Sequence, residues 1–257
     1  MGLDPDALAY ITAITTAGAT VTSVQQNAID TFVKTGKSDG WYSSLKRLYL
    51  PIWANAAANA ICLRSLTSGT FVGGVTHAAG YAEGNGTNGY FNFNASMPSL
   101  GISENNCMCG VLAYAAPTLG SYMMHAQAGT VPFGIRSTST DLLASTYLNN
   151  AVGYNSAQSN HYGIIVASRT SASSSALYQR QASGFFTRST SATAPTGSPG
   201  SESMFLFARN FQGAPNGYCA FKAGSAFVSL GMSSADVTAF SINLKTLWET
   251  LTGLTLP

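Results

Sequence analysis

Glycoside hydrolysis needs two carboxylates about 5 to 9.5 Å apart, one of them held protonated as the acid, and the 257-residue sequence has only four glutamates, Glu83, Glu104, Glu202 and Glu249. None lies in a Glu-x-Asp-x-x-Glu strand pattern, and no strand-like run carries two acids on one face. Asp141 and Glu83 could meet in three dimensions, as a chance pairing of loop acids. The three histidines, His77, His125 and His161, are scattered, and no Gly-x-Ser-x-Gly elbow marks a nucleophile for one of them to activate. His77, within Val75-Thr76-His77-Ala78, reads as a hydrogen-bonded strand residue. A calcium site needs clustered oxygen ligands, and no Asp-x-Asn or Asp-x-Asp pair occurs between residues 60 and 231; an ion held by backbone carbonyls in a glycine-rich loop stays open. Cys62, Cys107, Cys109 and Cys219 lie in apolar surroundings without zinc-site spacing and read as unpaired core residues. No catalytic, cofactor-binding or metal-binding residue is therefore assigned, no cofactor is expected, and the chain is not expected to be an enzyme.

Two other features resemble sites. Gly84-Asn85-Gly86-Thr87-Asn88-Gly89 lacks the Gly-Lys-Ser/Thr of a phosphate loop and is not followed by a helical pattern, so it reads as a turn with positive φ angles. Asn85-Gly86-Thr87 and Asn94-Ala95-Ser96 match the glycosylation pattern incidentally. Trp41, Trp53, Tyr81, Tyr90 and Tyr154 have the flat faces on which sugars stack, but aromatics at strand positions more often fill a core, and none is assigned to a binding site.

These residues are carried by three kinds of segment. Asp4, Pro5 and Asp6 form a helix start, with Leu8, Ile11 and Ile14 on one face before Gly18. Thr22 and Gln25 form a capping box ahead of Val24, Ala28, Ile29, Phe32 and Val33, and Trp41, Leu45 and Leu48 continue with helical spacing. From about residue 60 to 231 come short runs rich in Phe, Tyr, Val, Ile and Thr between Gly, Asn, Pro and Ser clusters. Strands are expected at 61–66, 70–77, 89–93, 107–114, 121–126, 141–148, 162–168, 176–181, 185–189, 204–209 and 226–230, with a low-complexity surface loop over 187–203. Two packed antiparallel sheets follow from this pattern. A last helix, 233–252, starts at Ser233 or Ser234 and places Val237, Phe240, Leu244, Leu247, Trp248 and Leu251 on one face before Gly253. The division is a helical lead-in, 1–55, packing on the sandwich or a neighbour, and a sandwich with its C-terminal helix, 56–257.

Composition narrows the partners. Apolar residues make up 46% of the chain and charged residues 9%, the latter about a third of the usual share. A formal charge of +2 excludes the basic stripe that binding a phosphate backbone requires, so no nucleic-acid partner is expected. No run approaches the ~18 apolar residues of a membrane span, and neither secretion signal nor membrane insertion is expected. A surface with so little charge suits a protein packed in an assembly.

The ordered series of the Thr22-x-x-Gln25 helix, Gly40-Trp41, Leu45-Lys46-Arg47-Leu48-Tyr49, Gly73-Gly74-Val75-Thr76-His77 and Gly84-Asn85-Gly86-Thr87-Asn88-Gly89-Tyr90 resembles a family of bacteriophage virion (tail or structural) proteins. Val166-Ala167-Ser168-Arg169, Ala176-Leu177-Tyr178 and Phe205-Leu206-Phe207-Ala208-Arg209-Asn210 extend the resemblance over nearly the whole chain. It implies a mainly β fold, a concanavalin A-like (laminin-G-like) jelly-roll β-sandwich with short N-terminal helices and a C-terminal helix. It also implies a non-enzymatic virion structural protein, assembled in the bacterial host cytoplasm and placed in the tail, baseplate or fibre or decorating the capsid surface. Expected partners are other virion proteins and copies of itself, a trimer among the options. The alternative function is a receptor-recognition module that binds host surface glycan.

Overall fold

The computed structural model describes residues 2–137, 144–150, 154–156 and 162–257. Local signals set the helix boundaries as the sequence implies. Helix α1 (Pro5–Thr16) begins where the Asp6 N–H donates to the Asp4 carboxylate at 2.9 Å. Helix α2 (Ser23–Asp39) carries the full capping box, Gln25 N–H donating to the Thr22 hydroxyl and Thr22 N–H to the Gln25 side chain. After a short α3 (Ala56–Asn59), the C-terminal α4 (Ser234–Thr252) is capped by Ser233 and stops at Gly253, whose φ is +70°. No helix among the described residues is long and apolar enough to cross a membrane.

The segment after Trp41 departs from the helical expectation. One 3-10 turn, Trp41–Ser43, leads into strand β1 (Leu45–Tyr49), which pairs antiparallel with β17 (Lys222–Ser229). A register shift between Leu45 and Arg47 adds one residue to the strand, so Leu45 and Leu48 reach the same apolar cluster. A bulge thus reproduces the three-residue spacing of a helix inside a strand. The chain before residue 56 contributes this strand to the sandwich as well as helices.

Two sheets make the sandwich, with 17 strands among the described residues. The first runs β13 (Gly184–Ser191), β12 (Ser174–Gln181), β11 (Gly163–Ser171), β6 (Cys107–Ala113), β17, β4 (Tyr81–Gly84) and β3 (Val75–Ala78). The second runs β10 (Tyr154–Ser156), β9 (Ala144–Leu148), β8 (Val131–Ser137), β7 (Tyr122–Ala128), β14 (Ser203–Leu206), β5 (Tyr90–Ser96) and β2 (Thr70–Val72); β15 (Arg209–Phe211) runs parallel to β7 and pairs with β16 (Ala214–Asn216).

Several strand expectations change in detail. Residues 70–77 form two strands in different sheets, because Gly73 at φ +68° turns the chain between them. Residues 61–66 make only isolated bridges. Val131–Ser137 is a strand despite Pro132 and Gly134, and the strand at 204–209 breaks at Phe207, whose φ is +68°. Strand β13 runs on to Ser191, which shortens the loop expected over 187–203. Asp141 and His161 lie outside the described residues, as does the start of the strand expected at 141–148.

Alternation along β6 shows how the layers stack. Cys107, Cys109, Val111 and Ala113 face the second sheet, in a cluster with Phe91, Phe93, Met124 and Leu206. Met108 and Leu112 face the other way, into a cluster with Phe32, Trp41, Phe227, Phe240, Leu244, Leu247 and Trp248. The helices therefore cover the outer face of the first sheet, and the apolar stripe of α4 is spent inside the chain. Trp248 lies against Gly224, where a Cβ would collide with the indole, and its Nε1–H donates to the Gly80 carbonyl at 3.1 Å. All four cysteines are buried and free.

Trp248→Ala is expected to destabilise the isolated chain by about 3–5 kcal/mol, the cost of emptying a buried aromatic site. Leu247→Asp should lower the midpoint of urea denaturation of the chain at every protein concentration; an effect confined to self-association would assign the α4 stripe to a subunit contact instead.

Candidate functional site: the open sheet face

With one sheet backed by helices, the outer face of the second sheet is the β surface left for recognition. Its residues follow from register. Asn92, Phe205 and His125 lie in one row across β5, β14 and β7, opposite the inward row of Phe91, Leu206, Met124 and Ile135. A register shift between Tyr122 and Met124 places one extra residue, Met123, in β7. Met123 and Met124 both enter the core, and Tyr122 and His125, three residues apart, meet edge to face at 4.6 Å on the outer side.

A polar cleft of about 380 Å³ opens on this face, lined by Asn92, Ser201, Glu202, Ser203, Phe205, Asn210, Gln212 and Gly213. Chain reversal at Phe207 brings Asn210 back beside β14, where its Nδ2 donates to the Ser203 carbonyl at 2.9 Å and its Oδ1 accepts from Gly213 N–H at 3.0 Å. Both groups of Asn210 are occupied, so it is a fixed wall. Two further polar groups line it: the Gln212 side chain is exposed, and Glu202 Oε2 is shielded and has no hydrogen-bond partner. A buried acceptor left unfilled is unfavourable unless a ligand or water satisfies it. Phe205 supplies an apolar floor and stacks on Tyr90 with ring centroids 4.5 Å apart and planes at 29°.

Beyond the Phe205 row lies a second cluster. The guanidinium groups of Arg136 and Arg209 stand 5.1 Å and 4.8 Å from the Tyr122 ring centroid. Arg209 also donates through Nε to Asn216 Oδ1 at 2.7 Å and through Nη1 to the Tyr122 hydroxyl at 3.1 Å. Gly217, at φ +56°, brings the chain against the Tyr122 ring, where a Cβ would stand 2.6 Å from a ring carbon. Beneath them His125 is fully buried. Desolvation, reinforced by the two arginine charges, lowers its pKa to about 3.

The residues weighed in the sequence are mostly elsewhere. Glu249 pairs with Lys245 on α4 at 2.6 Å, Glu104 accepts from the Ser198 hydroxyl at 3.3 Å, and Glu83 pairs in register with Thr76 and Lys222 in the first sheet. Glu202 is the only carboxylate among the described residues lining the cleft. His77 shares a 3.0 Å hydrogen bond with the Asn59 amide and packs edge-on against Phe71. Trp41 is in the helical core, Trp53 donates to the Tyr10 hydroxyl at 3.2 Å, and Tyr81 stacks with Tyr114. None of the five aromatics is a described lining residue of the cleft: Tyr90 stands behind it, stacked on Phe205, and the side chain of Tyr154 lies outside the described residues. The Gly84–Gly89 turn is structural: Asn85 Oδ1 accepts from the N–H groups of Thr87, Asn88 and Gly89, and Asn88 Oδ1 from Gly74 N–H. Among the described residues, no three His, Cys, Asp or Glu converge as a metal site. Arg136, Tyr122, Phe205 and Gln212 were not among the sequence candidates; only the Phe205-to-Asn210 segment carried a signal.

With its folded-state pKa below the ordinary imidazole value, His125 takes up a proton in the unfolded chain at a pH where the folded chain stays neutral. Stability should therefore fall as the pH drops from about 6.5 towards 3, with His77, lowered by desolvation, contributing in the same direction. Carbon chemical shifts of the His125 ring at pH 5 should be those of a neutral imidazole.

No family model and no curated protein matches the sequence. Solved structures do resemble the fold. Domain 4 of an extracellular arabinanase from Geobacillus stearothermophilus, in complex with arabinotriose, superposes with a TM-score of 0.53 at 10% identity, over 77% of this chain and 98% of that one. A Trypanosoma rangeli sialidase in complex with sialic acid gives 0.54 at 9% identity, over 85% of this chain and 39% of that one. A structure of botulinum neurotoxin type C, whose cell entry depends on two ganglioside molecules, gives 0.54 at 7% identity, over 80% and 53%. The chain thus spans about two fifths to one half of the sialidase and toxin chains it matches. At such identities the likeness establishes the fold alone, a β-sandwich.

Proposed function

We propose that the chain is a non-enzymatic carbohydrate-recognition module, with the cleft between β5, β14 and β15 as its binding site. The observation that carries this reading is the buried, unpartnered Glu202 Oε2 in a cleft that also holds the exposed Gln212 side chain and an aromatic floor. That combination suits a sugar, whose hydroxyls donate to a carboxylate and bond to amides while its apolar face lies on a ring. Arabinotriose, sialic acid and ganglioside, associated with three structures of the same fold, support it, and Glu202 as the one carboxylate among the described residues of the cleft favours binding over hydrolysis.

The setting proposed is a bacteriophage particle, in the tail or on the head surface, supported by the motif series and the low surface charge. The molecule has a polarity that suits attachment by one side. Leu8, Val24 and Ile242 are exposed apolar residues on α1, α2 and α4, in the helical layer opposite the cleft, available to other virion proteins or copies of the chain.

Binding of the full chain to host surface polysaccharide should be lost or weakened about tenfold in Glu202→Gln and Gln212→Ala, the scale of one hydrogen bond removed, with unchanged melting temperatures. Wild-type binding unaltered in both variants would move the site elsewhere, and release of reducing ends would make the protein an enzyme. Mass spectrometry of purified virions separated into heads and tails should find the chain in one fraction; its absence from both would contradict the virion setting.

A further inference from the structure

The arginine pair beside the cleft has a feature that hydroxyl recognition does not use. Arg136 is half-buried, its Nε is shielded from solvent, and that atom has no hydrogen-bond partner. Its guanidinium contact is the Tyr122 ring, which it shares with Arg209. All ion pairs among the described residues lie in the helical layer and its lead-in, between Lys34 and Asp30, Lys37 and Asp4, Lys37 and Asp6, and Lys245 and Glu249. Arg136 on β8 and Arg209 on β15 therefore flank the Tyr122 ring from the two edges of β7 with no carboxylate paired to either among the described residues, and what a guanidinium binds best is a planar carboxylate held by paired N–H donors. From β8, which carries Arg136, to β5, which borders the cleft, is three strand spacings, roughly 14 Å across the strands, with two ladder steps more along them between the Tyr122 and His125 rows; an oligosaccharide spans both.

We infer that the ligand is an acidic saccharide, whose carboxylate is taken by the Arg136 guanidinium while hydroxyls further along the chain enter the cleft at Glu202. This rests on the carbohydrate reading of the cleft and adds the chemical class and the orientation. Glu202 at one end and the arginines at the other make the strip electrostatically polar, so a carboxylate is repelled from the cleft end and attracted to the Tyr122 end. Arg209, already bonded to Asn216 and Tyr122, is the fixed member of the pair, and Arg136 has donors to give.

The test measures binding of the full chain by calorimetry to three carboxylated polymers (polygalacturonate, hyaluronate and polysialate), to their carboxyl-reduced forms, to dextran sulfate, and to neutral dextran, arabinan and galactan. At least one carboxylated polymer should bind, its carboxyl-reduced form should bind at least about tenfold more weakly, and Arg136→Gln should lose a similar factor, as expected for one charge-assisted bond. Arg136→Lys, which keeps the charge without the fork, should fall between. Melting temperatures establish that the variants fold, and the comparison of parent with reduced polymer needs only the wild-type chain. Equal binding of parent and reduced polymers, binding to neutral polymers only, or equal affinity for dextran sulfate would overturn the carboxylate assignment while leaving the carbohydrate reading in place. No binding to any polymer would overturn both.

Discussion

The arrangement depends on burial of one sheet face by the helices. Phe240 packs edge to face on Phe227 at 4.9 Å and on Trp41 at 5.2 Å, and Phe32 lies 5.1 Å from Trp41. This aromatic knot joins α2, α4, the turn after α2 and β17, four pieces far apart in sequence. It makes β6, β11 and β17 buried on both faces, which is why their sequences read as nearly continuous apolar runs where a surface sheet would alternate. It also polarises the molecule, since a sandwich with one outer face covered has the other for contact with the outside.

On that second face the site depends on departures from regular strand geometry. The extra residue at Met123 turns Tyr122 outward beside His125, and the left-handed Phe207 folds the chain so that β15 lies parallel to β7 where β14 leaves it. A left-handed conformation at a non-glycine residue is unfavourable by about 1–3 kcal/mol, and Phe207 is held in it by full burial, with its ring 5.0 Å from Phe221, and by hydrogen bonds at both backbone groups, to the Met123 carbonyl and from Cys219 N–H. Core packing thus fixes the irregular backbone that shapes the cleft above it. The buried His125, its pKa lowered by desolvation and by both arginine charges, forms a floor under the arginine pair.

Helix ends and strand composition were legible because they are set locally. Asp4, Thr22, Gln25 and Ser233 act within three residues of their own positions, and the sandwich follows from turn residues between β-prone runs. Errors arose where tertiary pairing overrode local pattern: Leu45 and Leu48 have helical spacing because of a bulge, and the run 70–77 belongs to two sheets although it reads as one strand. Pro132 and Gly134 concealed β8, and with it Arg136. The candidate site was legible only in the Phe205-to-Asn210 segment and, behind it, at Tyr90. Tyr122 and Arg136 meet through a bulge and a strand register, and Glu202 matters because its partner is missing, neither of which is written in residue order.

The proposed recognition surface is the sheet face opposite the helices. Hydrogen–deuterium exchange of the full chain, with and without the carboxylated polysaccharide that binds it, tests this most directly. Slowed exchange in β5, β7, β8 and the segment 201–217, with the helices unchanged, is the predicted pattern. Protection confined to α2 and α4 would contradict the account and place the binding surface on the helical layer.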